Sequence, residues 1–131
     1  MTVGIDILER TRIVRLLKQH KTRFVKKIFT KREIDGLRRK RDIYYALGFS
    51  FKEAFWKSLP PRIQKKAWFN DIEILWKDNV PQVYLFGRKI DGLVLKYNFD
   101  RDFVITAVIN SRNRPKQRGY DDRERTISQE Y

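Results

Sequence analysis

Cysteine is missing from all 131 residues, which rules out disulfides and thiolate chemistry and fits a cytoplasmic protein. Histidine is almost missing too. The one copy, His20, sits among basic residues, where a surface or docking role suits it better than catalysis. No apolar run approaches the roughly 20 residues that a bilayer span requires. The opening "MTVGIDILER" lacks the basic-then-apolar order of a signal peptide. A membrane is therefore not an expected partner. No internal repeat is present. Acidic residues are few: 16 Asp and Glu stand against 30 Lys and Arg, leaving a net charge of +14.

Apolar residues make up 41% of the chain, and aromatics alone 14%. That suffices for one domain around a single core. The positive charge calls for an anionic partner: an acidic protein, a phosphorylated ligand or nucleic acid, the membrane surface that such charge also suits being the class not expected here. Residues 1–45 hold fourteen Lys and Arg against five Asp and Glu, so 14 − 5 = +9 of the +14 lies in the first third. The charge is gathered where a docking face could form.

Val3, Ile5 and Ile7 alternate in "TVGIDIL", the period of a strand with one buried face, with Gly4 and Asp6 on the other. From about Arg10, Ile13, Leu16 and Leu17 take helical spacing. The following helix is broken near Thr30, which stands three residues before Glu33 in capping-box spacing. A longer helix begins at Asp42, with Tyr44, Leu47, Phe51 and Phe55 as its stripe, and Pro60-Pro61 stops it. "RIQKKAW" reads as a loop. Strands follow at "FNDIEILW", "PQVYLF", "LVLKYNF" and "FVITAVI", the first two joined through a "KDNVPQ" turn. The boundaries expected are a domain over 1–110 and a polar, charged tail over 111–131, mobile or partner-binding. Helices first and strands later, with one strand leading, give an α+β chain.

One stretch, "FSFKEAFWKSL", sets Glu53 between Lys52 and Lys57 inside an aromatic frame. Glu53 and Lys57, four residues apart on a helix, could be an ordinary solvated ion pair. The bulk of Phe51, Phe55 and Trp56 argues against an open face there. Asp6, directly after Ile5 and Gly4, is a second carboxylate on a separate element. Two such carboxylates, completed by water and phosphate oxygens, are a usual way to hold Mg²⁺. Lysines on either side would neutralise a pyrophosphate attached to it.

The chain resembles the holo-(acyl-carrier-protein) synthases, small 4′-phosphopantetheinyl transferases. "GIDILERTRI" matches that family's first motif at Gly4, Asp6, Ile7, Glu9, Arg12 and Ile13. "FSFKEAFWK" matches the second at Phe49, Ser50, Lys52, Glu53, Ala54 and Lys57. "RFVKKIFTKREID" and "FNDIEILWKDNVPQVYL" resemble two further blocks, so the likeness runs over about residues 3–109.

The resemblance implies the 4′-phosphopantetheinyl transferase fold, a small antiparallel sheet packed on a long helix, assembled as a homotrimer with its site at a subunit interface. Asp6 and Glu53 would hold Mg²⁺ on the pyrophosphate of coenzyme A, the substrate. Glu53, or a water on the metal, would help remove the proton of the attacking carrier-protein serine. Lys57 would stabilise the leaving phosphate, and Lys52 would bind phosphate. Arg12 matches the family's docking arginine for the acidic acyl carrier protein. Arg15, Lys18, Lys21, Arg23 and Lys26 lie near it.

The family's glycine-rich turn after the second motif is replaced here by "LPPRIQKK", where Arg62, Lys65 and Lys66 could grip phosphate. A family histidine near Leu93–Leu95 is missing, and "FGRKIDGLVL" is short where many members carry a helix. Two rival readings remain. One is a nucleic-acid-binding module, permitted by the basic and aromatic "LRRKRDIYY" but disfavoured because no recognised nucleic-acid motif occurs. The other is a catalytically silent homologue that binds carrier protein or coenzyme A.

Overall fold

The computed structural model describes residues 1–112, apart from the side chains of His20 and Lys21. The docking role expected of those two residues, and nearly all of the expected tail, lie outside the described residues. Where that tail begins, Ser111 is tied by its hydroxyl to Gly92 O at 2.8 Å.

The elements run β1 (Thr2–Glu9), α1 (Arg10–Ile28), α2 (Lys31–Leu37), α3 (Asp42–Lys57), α4 (Pro61–Gln64), β2 (Ile72–Lys77), β3 (Val80–Leu85), β4 (Arg88–Lys89), β5 (Leu93–Phe99) and β6 (Phe103–Asn110). They form the expected α+β fold. Two antiparallel three-stranded sheets, ordered β1-β6-β5 and β2-β3-β4, pack around α3. The stripe of α3 is buried as its spacing predicts: Leu47, Phe51 and Phe55 are no more than 1% exposed. The break near Thr30 is a capping box, in which the Thr30 side chain accepts from Glu33 N while Glu33 accepts from Thr30 N. Asp78 and Asn79, both at positive φ, make the two-residue turn between β2 and β3.

Two expectations are corrected. "RIQKKAW" is not all loop, because Pro61 opens α4. A proline that ends one helix is well suited to the first turn of the next, where no N–H is needed. Gln64 and Trp56 exchange hydrogen bonds across the turn, Trp56 Nε1 to Gln64 O at 3.1 Å and Gln64 Nε2 to Trp56 O at 2.9 Å.

The faces of β1 are also the reverse of the expected ones. Val3, Ile5 and Ile7 are 50%, 52% and 64% exposed, while Gly4 and Leu8 are buried and Asp6 is half-buried. The inward face is the one that carries Gly4, and α3 lies against it. A Cβ on Gly4 would stand 1.7 Å from Ala54 O, so only glycine lets the helix backbone approach this closely. That approach brings Asp6 to α3.

Candidate active site

Asp6 and Glu53 reach the same region from separate elements, β1 and α3. The Asp6 side chain is 13% exposed. Ser50 donates to its Oδ2 at 2.8 Å. Lys57, one helical turn beyond Glu53, sends its ammonium to Asp6 Oδ1 at 3.4 Å and Ile5 O at 3.1 Å. The sequence allowed a Glu53–Lys57 pair, but Lys57 bridges instead to the strand. Glu53 is half-buried. Its carboxyl is held above the ordinary carboxylate range, first by burial and then by the negative charge of Asp6, with Lys57 opposing both. Two carboxylates that repel each other beside a single partly exposed ammonium are short of positive charge.

Among the described residues no group of three or more His, Cys, Asp or Glu could hold a metal. What Asp6 and Glu53 offer is a two-carboxylate, all-oxygen donor set. That suits Mg²⁺, which prefers oxygen, keeps much of its water and accepts substrate phosphates as further ligands. Beside Glu53 opens a cavity of about 320 Å³ lined by Trp56, Gln64, Lys65, Trp68 and Phe69. Lys65 thus stands at the cavity, and Arg62 is exposed on α4.

Lys52 is not available to phosphate. It borders the cavity but is fully buried, with its ammonium turned to partners in the core. Its ammonium pairs with Glu33 and donates to Ile28 O at 2.8 Å, Phe69 O at 2.8 Å and Ile72 O at 2.6 Å. Three ammonium hydrogens meet four acceptors, so none is left over. Glu33 in turn accepts from Ile74 N at 2.9 Å. This pair clips the end of α1, the start of α2 and strand β2 to α3. Helical geometry carries a sign of the difference: successive residues lie about 100° apart around the axis, so Lys57 is about 40° from Glu53 but Lys52 about 100°.

Arg12, Arg15, Lys18, Arg23 and Lys26 are all exposed along α1. Arg15 and Lys18 line a shallow basic cleft with Arg10 and Arg101. Arg101, far from α1 in chain order, was not among the expected docking residues and comes from the β5–β6 turn. That turn is fixed by Asp100, whose carboxylate accepts from Asp102 N and Phe103 N at 2.8 Å each. Arg10 grips it from the other side, donating to Asp100 O and lying over the Phe99 ring at 5.5 Å.

The aromatic residues of "LRRKRDIYY" are packed rather than splayed for base stacking. Tyr45 meets Phe29 edge-on at 5.5 Å, and Tyr44 meets Trp76 at 4.9 Å. No helix among the described residues is long and apolar enough to cross a membrane.

Residues 2–108 match the 4′-phosphopantetheinyl transferase superfamily. A holo-(acyl-carrier-protein) synthase of Chlamydia caviae is 41% identical over 114 residues, covering 82% of this chain and 93% of its own. One from Geobacillus is 32% identical over 114 residues, covering 84% and 95%. Among solved structures, the Helicobacter pylori holo-(acyl-carrier-protein) synthase in complex with coenzyme A superimposes with a TM-score of 0.67 at 28% identity, over 83% of this chain and 99% of that one. The match covers both motifs, both sheets and the site between β1 and α3, and the chain is accordingly a member of the 4′-phosphopantetheinyl transferase superfamily, an enzyme of the holo-(acyl-carrier-protein) synthase type.

Proposed function

We propose that this protein transfers 4′-phosphopantetheine from coenzyme A to a serine of an acyl carrier protein in a Mg²⁺-dependent reaction. The carrier passes from its apo to its holo form, and adenosine 3′,5′-bisphosphate leaves. The observation that carries this reading is the approach of Asp6 to Glu53, near enough for the one charge to raise the other's carboxyl, with Glu53 lining a cavity. Those two carboxylates would hold Mg²⁺, which when bound supplies positive charge to the pyrophosphate of coenzyme A.

The chain's own residues do the rest. Lys65 at the cavity, with Arg62 on α4, binds coenzyme A phosphates in place of the glycine-rich turn. Lys52 takes no part in phosphate binding. Glu53 accepts the proton of the carrier serine as its oxygen attacks the β-phosphorus. The bond from that phosphorus to the bridging oxygen breaks, and the electron pair leaves with the adenosine bisphosphate. Lys57, 46% exposed and tethered by its contacts to β1, meets the developing negative charge. Positioning and charge stabilisation carry most of such a step.

The acidic carrier docks on α1 through Arg12, Arg15, Lys18 and Arg23. These substrates place the protein in the cytoplasm. Assembly is a homotrimer with the site at a subunit interface, supported by the exposed apolar face of Val3, Ile5, Ile7, Val94, Phe103 and Ile105. A face this apolar is uncommon on a monomer. Light scattering is expected to give three times the chain mass of 15.9 kDa; a monomer at micromolar concentration would refute the assembly.

The function itself is tested by incubating the protein with apo carrier, coenzyme A and Mg²⁺ and weighing the carrier. A gain of one phosphopantetheine is expected, and an unchanged carrier overturns the proposal. Arg12→Glu in the same assay should raise the KM for carrier about tenfold or more at low salt, with the difference shrinking as salt rises. The KM for coenzyme A should stay as it is. An unchanged carrier KM would remove Arg12 from the docking face.

A further inference from the structure

Asp6 is held from behind by a chain of hydroxyls. Ser50 and Thr106 are both completely buried. Ser50 Oγ lies 2.8 Å from Asp6 Oδ2 and 2.8 Å from Thr106 Oγ1. A hydroxyl has one proton to donate. The Ser50 hydroxyl donates its proton to the Asp6 carboxylate. Thr106 must then donate to Ser50. Thr106 to Ser50 to Asp6 is thus a one-way chain drawn from β6, α3 and β1.

The placement of these residues bears on the whole site. Asp6 and Thr106 are directly opposed in the β1–β6 register. Ser50 precedes Glu53 by three residues and shares its side of α3. The chain therefore locks the strand that carries one carboxylate to the helix that carries the other. It also makes the two oxygens of Asp6 unequal. Oδ2 is tied inward by a buried, charge-assisted hydrogen bond. Oδ1 faces the partly exposed ammonium of Lys57.

We propose that Ser50 and Thr106 are positioning residues that fix the Asp6 carboxylate so that Oδ1 alone is presented to a divalent cation. This rests on the reading of Asp6 as a metal ligand given above. Neither hydroxyl touches the metal or the substrate; both act through Asp6. Groups that orient a ligand in this way typically contribute about 10–100-fold to metal affinity.

The test is Mn²⁺ binding to the full chain in the presence of coenzyme A, with free Mn²⁺ read by electron paramagnetic resonance. Ser50→Ala is expected to weaken binding about tenfold or more, and Thr106→Val by a smaller factor. Thr106→Ser, which keeps the hydroxyl, should bind as the unaltered protein does. Asp6→Asn serves as the reference and should lose the site. If Asp6→Asn abolishes binding while Ser50→Ala leaves it unchanged, the positioning role is overturned and the metal reading stands. If binding to the unaltered protein does not depend on Asp6, the metal reading falls and takes this inference with it. Should Ser50→Ala fail to fold, the Thr106 pair decides, and equal affinity in the Val and Ser variants overturns the proposal.

Discussion

Glu53→Gln is expected to lose phosphopantetheine transfer by roughly 10³-fold or more while the protein stays folded. On the proposed reading the substitution removes one of the two carboxylates that would hold the cation, and with it the group that would take the serine proton. It should not lower the thermal midpoint. Burial and the charge of Asp6 both disfavour an ionised Glu53, so a neutral isostere relieves strain in the unliganded protein. Loss of activity with a midpoint that is unchanged or raised separates a functional defect from an unfolded one. Full activity in Glu53→Gln would refute its role.

Lys52→Met is expected to cost about 3–5 kcal/mol of stability, because it leaves Glu33 as a buried charge without its counter-ion. That is a large part of the roughly 5–15 kcal/mol that holds a domain of this kind together. The defect should depend on pH in a defined direction. Burial already holds the Glu33 carboxyl above the ordinary range, and the charge of Lys52 is the largest influence opposing it. Without that lysine the carboxyl rises further.

A carboxyl raised in the folded state binds its proton more tightly there than in the unfolded chain. Its contribution is favourable below the usual carboxylate range and is lost as pH rises through the folded value. The deficit of Lys52→Met should therefore be greatest at neutral pH and shrink towards acidic pH. Glu33→Gln in the same chain should recover part of the loss at neutral pH. Denaturant midpoints across pH measure both effects, and a deficit below about 1 kcal/mol at neutral pH would contradict the buried-pair reading.

Much of the architecture is written in local patterns. The alternation in β1, the stripe of α3, the Thr30–Glu33 capping box and the turn at Asp78-Asn79 each depend on a few neighbouring residues, and each forms as expected. What failed to read through depends on partners distant in the chain. Alternation marks β1 as a strand with one apolar face but does not say which face meets the helix. Gly4 decides that, by letting Ala54 come close.

The room that Gly4 leaves at the strand backbone is taken by α3 itself. The motif around Glu53 located the helix and its carboxylate, yet it could not tell that Lys52 turns into the core to meet Glu33. Ser50 was visible only as a motif position, and Thr106 as one residue of an apolar strand. Their role emerges only when β6, α3 and β1 are brought together.

The meeting of Asp6 and Glu53 on one divalent cation is tested most directly by anomalous scattering from crystals grown with coenzyme A and Mn²⁺. A single strong manganese peak between the two carboxylates, touching Asp6 through Oδ1 and adjoining the pyrophosphate, is the expected result. Manganese bound elsewhere, or a pyrophosphate seated away from both carboxylates, would contradict it.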